Sequence, residues 1–545
     1  MDATNISLEI KQQFDTMQAQ IESQALTISK MQTLIQHYEG QLLYLKRRQF
    51  GASSERTNRD TGQLSIFSDL LGVAEPTPPP APETEEITYK RKKRKGKREE
   101  NISNLPVVRV EYELSEGERE CLSCDTFMHD IGVSVRREIE IIPAQAIVKE
   151  HAAHSYACPN PKCEGIVGNE KNGSLGGSKV IVRADSPKPL ISGSLASPSL
   201  VAHIAYQKYS NGMPLYRIEK GFQYDGVIIS RQNMSNWVIK CTQELLMSVY
   251  EQMKSHLLRE SVLHSDATTI QVLREEGRAA TTKSCEWVHR TSGASGKKIV
   301  IYQYTQTKGQ EHPRKFFADF KGYLHTDGAS VYHNLPPDVV TVGCWAHARR
   351  YFESIIKALD DEGRKKSEAA TGIAYINALF KLERDFANLL HEERYLARLE
   401  KSKPIADAFF VWAENLSALP QSPLGKAVHY ALSQRKYLEN IFLDGRLELS
   451  NNRCERSVKP FVMGRKAWLF SNTPDGAEAS SVMYSIIETA KENGLHPFYY
   501  VKFLLEVLPS AMQSDIESLM PWCESLPDCC HAPVRKGVVK YEQLN

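Results

Sequence analysis

Apolar positions recur at heptad spacing through the first 50 residues. Phe14, Ile21, Ile28, Ile35 and Leu42 fall on one seam, and Met17, Gln24, Met31, Tyr38 and Leu45 on the other. Nine apolar residues at ten seam positions predict a coiled coil over 1–50 that would join copies of the chain. A single amphipathic helix lying on the rest of the chain fits the same spacing. The rhythm ends after Lys46-Arg47-Arg48-Gln49-Phe50 at Gly51, a helix stop. Residues 51–104 read as a linker and basic segment, because AEPTPPPAPETEE (74–86) has too little apolar surface to build a core.

Short strands are expected in 105–183, including Val133–Ile142 and Ala146–Tyr156. From 184 to 260 the spacing turns helical. There Leu215–Phe222, a turn, and Ser230–Cys241 with Ser230 as N-cap have the rhythm of a helix-turn-helix, although plain helical packing reads as well. Apolar and β-branched runs at Val262–His264, Lys298–Tyr304, Gly322–His325 and Val339–Trp345 predict strands in 261–350. Residues 351–445 read as charged helices, 446–510 as helix mixed with turns, and 511–545 as a C-terminal tail. The whole predicts a multidomain α+β chain.

Composition narrows the function classes. The 545 residues are 41% hydrophobic and 25% charged, which is ordinary for globular domains. No apolar run reaches the roughly 18 to 20 residues needed to span a bilayer, and the first residues lack a secretory signal. A soluble, cytoplasmic chain without membrane partners is expected. Eleven cysteines, mostly single, fit a reducing compartment. The net charge of +2 conceals KRKKRKGKR at 90–98. Within it Lys90, Arg91, Lys92, Lys93, Arg94 and Lys95 are candidate nucleic-acid contacts, although such runs also serve as solvated linkers.

Cys121-x2-Cys124 and Cys158-x4-Cys163 offer four thiolates, a set that suits a closed, structural Zn(II) site. His129, His151 and His154 are near enough in sequence to replace one of them. No general base accompanies the cluster, so a catalytic zinc is not expected.

Three carboxylates stand in informative settings. Asp266 follows the apolar run from Ser261. Asp327 follows Gly322-Tyr323-Leu324-His325-Thr326 and precedes Gly328. Glu455 lies in Ser450-Asn451-Asn452-Arg453-Cys454-Glu455-Arg456, where Ser450 is a possible helix cap. Two strand-borne aspartates and a helix-borne glutamate suit a pair of Mg(II) ions for phosphoryl transfer. A turn aspartate, a strand-end aspartate and a solvated glutamate are the bland readings, and spacing alone does not decide between them. A phosphate-binding loop, a serine-hydrolase elbow and a zinc-protease motif are all missing from the sequence.

The stretches LKRRQFGASSER (45–56), YLHTDGASVY (323–332), GCWAHARRYFE (343–353), DGRLELSNNRCERSVKPFVMGRKAWLFSN (444–472) and YSIIETAKENGLHPFYYVKFLLEVLP (484–509) resemble the large transposase of the insertion sequence 66 family. The likeness runs from about residue 10 to residue 510. It implies a bacterial, nucleoid-associated transposase of the DDE class with an RNase H-like α/β core. In that core Asp266, Asp327 and Glu455 would be the catalytic acids that hold two Mg(II) or Mn(II) ions, and 351–445 would be a helical insertion. It also implies that the cysteine pairs form the family's zinc-binding domain. Two departures stand out: Asp266-Ala267-Thr268 replaces the usual D-E-T, and the second cysteine pair is longer than C-x2-C.

Such an enzyme would cleave double-stranded DNA at the element's terminal inverted repeats and join it to target DNA, with accessory proteins of the element as further partners. Arg349 and Arg350 are candidate phosphate contacts, with a structural ion pair as the other reading. Lys459, Arg465 and Lys466 are candidate grips on the DNA backbone. Trp345 and Trp468 could stack on a displaced base or serve as core. The alternatives to an active transposase are a catalytically silent DNA-binding regulator and a two-metal nuclease without strand transfer.

Overall fold

The computed structural model describes residues 145–157 and 181–531, with a few isolated positions nearer the N-terminus. Apart from Met17 and Gln24, the heptad segment lies outside the described residues, as do the basic run from Lys90 to Lys95 and the four cysteines Cys121, Cys124, Cys158 and Cys163.

The strands in chain order are β1 (Ser155–Ala157), β2 (Ile181–Arg183), β3 (Val262–Gln271), β4 (Lys283–Thr291), β5 (Val300–Thr305), β6 (Gly322–His325) and β7 (Val339–Val342). The helices used below are α1 (Pro198–Ala205), α2 (Leu215–Tyr224), α3 (Arg231–Cys241), α4 (Met247–Leu258), α5 (Trp345–Ala358) and α6 (Glu368–Asp385). They continue with α7 (Lys403–Asn415), α8 (Pro423–Ser433), α9 (Asn452–Trp468), α10 (Pro474–Glu492) and α11 (Pro497–Val507). The protein is a mixed α+β chain. None of the described helices is long and apolar enough to cross a membrane.

The chain divides into two compact units. The first takes the described residues of Gly96–Gly322, Asn334–Asp338 and Arg453–Asn545. Its centre is an antiparallel meander in the order β5-β4-β3, with Asp266 opposite Val288 and Val288 opposite Tyr302. The outward N–H groups of β5 are not left bare. Tyr302 N donates to Ser485 Oγ at 2.8 Å and Val300 N to Thr489 Oγ1 at 3.0 Å, both on α10. A helix that supplies hydroxyls to a sheet edge satisfies buried donors and removes a site for unwanted strand pairing. This explains why α10 is buried almost all round although serines and threonines punctuate it.

The second unit takes residues 323–333 and 339–452. Here β6 and β7 are neighbours, and α5 to α8 pack around Trp345, Phe352, Phe409 and Phe410, all fully buried. Arg398, 1% exposed, grips Glu383 with two nitrogens and also donates to the carbonyls of Asp444 and Leu447 at 3.0 and 2.7 Å. One buried guanidinium thus fixes the chain just ahead of the glutamate helix α9.

Several elements differ from the sequence reading. β3 runs to Gln271, well past His264, so Asp266, expected on or just after a strand, lies within one. β4 is not legible in the apolar pattern because Glu286, His289 and Arg290 are interspersed along it, all buried. The strand expected over Ala146–Tyr156 is confined to Ser155–Ala157, paired with β2, and 133–136 forms no strand.

Candidate active site

In the first unit the site is built on β3, β4 and the start of α9. Asp266 is half-buried, and its Oδ1 accepts from the N–H of Ala267 at 2.7 Å. Directly across the ladder stands Val288, whose carbonyl oxygen accepts the thiol of Cys454 at 3.3 Å. Cys454 is fully buried, and the next residue is the half-buried Glu455. The first turn of α9 is therefore pinned to the strand that flanks Asp266, and the structure brings Asp266 and Glu455 to the same part of the sheet.

Arg290 of β4 strengthens that pin. It is 3% exposed, donates to Ser457 Oγ at 2.6 Å and to the Arg453 carbonyl at 3.4 Å, and pairs with Glu492 at 3.0 Å. The Tyr302 hydroxyl donates to the Ser457 carbonyl. Residues 453, 454 and 457, which flank Glu455 on its helix, are thus all held by the meander. Sequence reading missed Arg290, Cys454 and Ser457. Arg290 stands in a strand whose apolar pattern is broken by charged residues, and Cys454 and Ser457 gave no signal beyond two small residues at helical spacing.

Further along α9, Arg465 donates to Thr268 Oγ1 at 3.1 Å and Thr269 Oγ1 at 3.4 Å, and burial pulls its pKa below the ordinary arginine value. Lys459 and Lys466 are exposed. Trp468 packs edge-on to Phe461 at 5.6 Å.

Glu286 sits on the same face of the meander, opposite Thr268, and is completely buried. Burial pushes its carboxyl up to about 8, and the nearby Ser481 hydroxyl, already committed to the Ala477 carbonyl at 3.1 Å, offsets little of that rise.

In the second unit Asp327 follows β6. Its Oδ1 accepts from Ala329 N at 2.9 Å, an Asx-type turn that Gly328 permits by adopting φ +84°. The Tyr430 hydroxyl of α8 donates to the Asp327 carbonyl at 2.9 Å. Burial first, then Cys344 and Asp327, raise its pKa, so it remains a donor at any ordinary pH. Arg349 is engaged by Glu353 at 3.1 Å and Asn377 at 2.8 Å. Arg350 lies 3.0 Å from His347 Nε2 and reaches Asn452 Oδ1 at 3.4 Å. Trp345 is core, with its indole N–H on the Leu438 carbonyl at 3.1 Å. The helix Asn452–Trp468 starts two residues after Ser450, and the buried Asn451 donates its N–H to Cys344 Sγ at 3.1 Å.

Asp266 and Glu455 of the first unit are half-buried and offer carboxylate oxygens of the type hard divalent cations prefer, and the half-buried Asp327 of the second unit offers the same chemistry.

A model of the IS66 transposase family matches residues 193–479, more than half of the chain. A model described as transposase C of IS166 homeodomain matches 37–110, the zinc-finger binding domain of transposase IS66 matches 118–164, and the IS66 C-terminal element matches 485–522. The zinc-finger match supports a structural zinc. The chain is similar to three uncharacterized proteins of Sinorhizobium fredii. It is 31% identical to y4qI over 66% of this chain and 69% of that one. It is 26% identical to y4jD over 91% and 96%, and 26% identical to y4hP over 88% and 87%. The chain belongs to the IS66 family of transposases.

Proposed function

We propose that the protein is a DNA transposase that cleaves a phosphodiester at the ends of its element and joins the freed 3′-hydroxyl to target DNA. Asp266, Asp327 and Glu455 hold two divalent cations, Mg(II) or Mn(II), in an RNase H-like core. The observation that carries this reading is the pinning of the Glu455 helix to the strand opposite Asp266, in a chain of a transposase family. When bound, two such cations would lower the pKa of the attacking hydroxyl and neutralise charge on the leaving oxygen. The protein's own part is positional. β3 fixes the Asp266 carboxylate, the Asx turn fixes Asp327, and the Cys454 and Arg290 contacts fix Glu455. Lys459 and Lys466 grip DNA phosphates beside the site, and Arg465, anchored on Thr268, adds charge there. Cys121, Cys124, Cys158 and Cys163 ligate a structural zinc. The N-terminal heptads pair two chains, matching two inverted repeats with two-fold protein symmetry.

Product analysis tests the proposal. The purified full chain is given Mg(II) or Mn(II) and a supercoiled plasmid carrying both element ends, with and without the element's accessory proteins. Wild type should yield both cleaved and joined DNA, and Asp266→Asn neither. Cleavage that never proceeds to joined product would replace the transposase reading with a nuclease.

A further inference from the structure

Helices α1, α2 and α3 form a small trihelical packing in which α3 lies against both others. Val201 and Ala205 of α1, Ile218 and Phe222 of α2, and Met234 and Val238 of α3 are buried there. The link from α2 to α3 is six residues, Asp225 to Ser230. Gly226 takes φ +76°, and Val227 N returns to the Phe222 carbonyl at 2.8 Å. The Ser230 hydroxyl caps α3 by accepting from Asn233 N at 3.2 Å, and Glu219 of α2 accepts from Arg231 N at 3.1 Å. Both ends of the turn are therefore locked, and the first residues of α3 are held in one orientation.

What α3 leaves exposed is chemically selective. Arg231, Gln232, Asn233, Asn236 and Lys240 are exposed, whereas Met234, Val238 and Cys241 face inward. Arginine offers paired donors, and glutamine and asparagine a donor beside an acceptor, patterns that match base edges in the major groove. Beside them Ile228 is 90% and Tyr224 89% exposed, apolar surface with no internal purpose. The α2–α3 segment carries four basic residues (Arg217, Lys220, Arg231, Lys240) against two acidic ones, Glu219 and Asp225. Glu219 already has a partner in Arg231 N. A polyanion that offers base edges and thymine methyl groups satisfies every one of these features.

We infer that α2-turn-α3 is a sequence-reading DNA module, with the exposed face of α3 entering the major groove of duplex DNA. The module deepens the proposed function, on which it rests, by assigning base readout to a segment outside the N-terminal 110 residues. Gln232 and Asn236, one helical turn apart, contact bases, and Ile228 contacts a base methyl at the entry to the groove. Arg217 and Lys220 on α2 contact backbone phosphate.

The test is selection of duplexes from a randomised library by the full-length chain, compared with Gln232→Ala/Asn236→Ala and with Arg217→Ala/Lys220→Ala. All four side chains are exposed, so folding should survive, as circular dichroism can check. Wild type should enrich a motif. The Gln232/Asn236 variant should lose about tenfold or more of its preference at specific positions of that motif, with affinity for unrelated duplex unchanged. The Arg217/Lys220 variant should keep the motif, bind all duplexes more weakly, and show a shallower salt dependence. An unaltered motif in the Gln232/Asn236 variant overturns the inference, as does loss of self-association in its place, which would make the face a protein contact. Wild type that binds duplex without enriching any motif also overturns it but leaves the proposed function standing. Wild type that binds no duplex removes both.

Discussion

The thiol of Cys454 donates to the carbonyl oxygen of Val288 at 3.3 Å, and this contact helps tie the residue before Glu455 to the strand opposite Asp266. Cys454→Ala would remove it and open a small space in a fully buried site. The expected loss of stability is modest, on the order of 1 kcal/mol. The expected loss of DNA cleavage is larger than that destabilisation explains, because the Glu455 helix gains freedom. Thermal unfolding beside single-turnover cleavage checks this; parallel small losses in both would make Cys454 merely a packing residue.

Glu286 makes stability depend on pH. Its carboxyl titrates near 8 in the fold against an ordinary value of 4.5, raised by burial. Between those values the folded chain holds a proton that the unfolded chain releases, so stability falls as pH rises through this window. Above about 8 the penalty is complete, amounting to a few kcal/mol at most. Glu286→Gln lacks the proton equilibrium. Its melting temperature should therefore gain on wild type steadily from pH 5 to pH 8 and then level off. A difference that stays constant across that range would mean that the carboxylate is ionised and partnered.

Arg398 and Glu383 form a buried pair, 1% and 21% exposed, with nitrogen and oxygen 2.5 Å apart. Arg398→Met should cost about 3 to 5 kcal/mol, since it strands Glu383 and three backbone carbonyls. Arg398→Met with Glu383→Gln should recover part of that loss. Denaturant unfolding of both variants would decide. An equally unstable double variant would assign the role to the carbonyls rather than to the ion pair.

The zinc assignment predicts about one equivalent of metal per chain, released by a strong chelator. Cys121→Ser should lower zinc content and binding to element ends without abolishing metal-dependent nicking. Full zinc content in that variant would point to a different ligand set.

How much of this was legible in the sequence depended on where polar side chains went. Helices α2 and α3 were readable because their apolar residues keep helical spacing and Ser230 makes a cap. β4 was not, because Glu286, His289 and Arg290 interrupt its pattern and are buried through tertiary partners that no local rule foresees. The setting of Asp266 was only half legible. Its apolar lead-in suggested a place on or just after a strand, but not that the strand continues through Thr268 and Thr269, which receive Arg465 from nearly 200 residues away. The choice of Asp266, Asp327 and Glu455 as candidate acids came from long motifs that resemble those of a family. The means of positioning them, Arg290 and Cys454 above all, emerged only from the fold.

Mobilisation in cells asks whether Glu455 is a catalytic acid of a working transposase. A marked mini-element bearing both ends is supplied with wild type or Glu455→Gln at matched expression, together with the element's accessory proteins. Wild type should move the marker to new sites, whereas Glu455→Gln should bind the ends equally well yet move nothing. Equal mobilisation by the two proteins would show that Glu455 is not a catalytic acid and would contradict the assignment of the site.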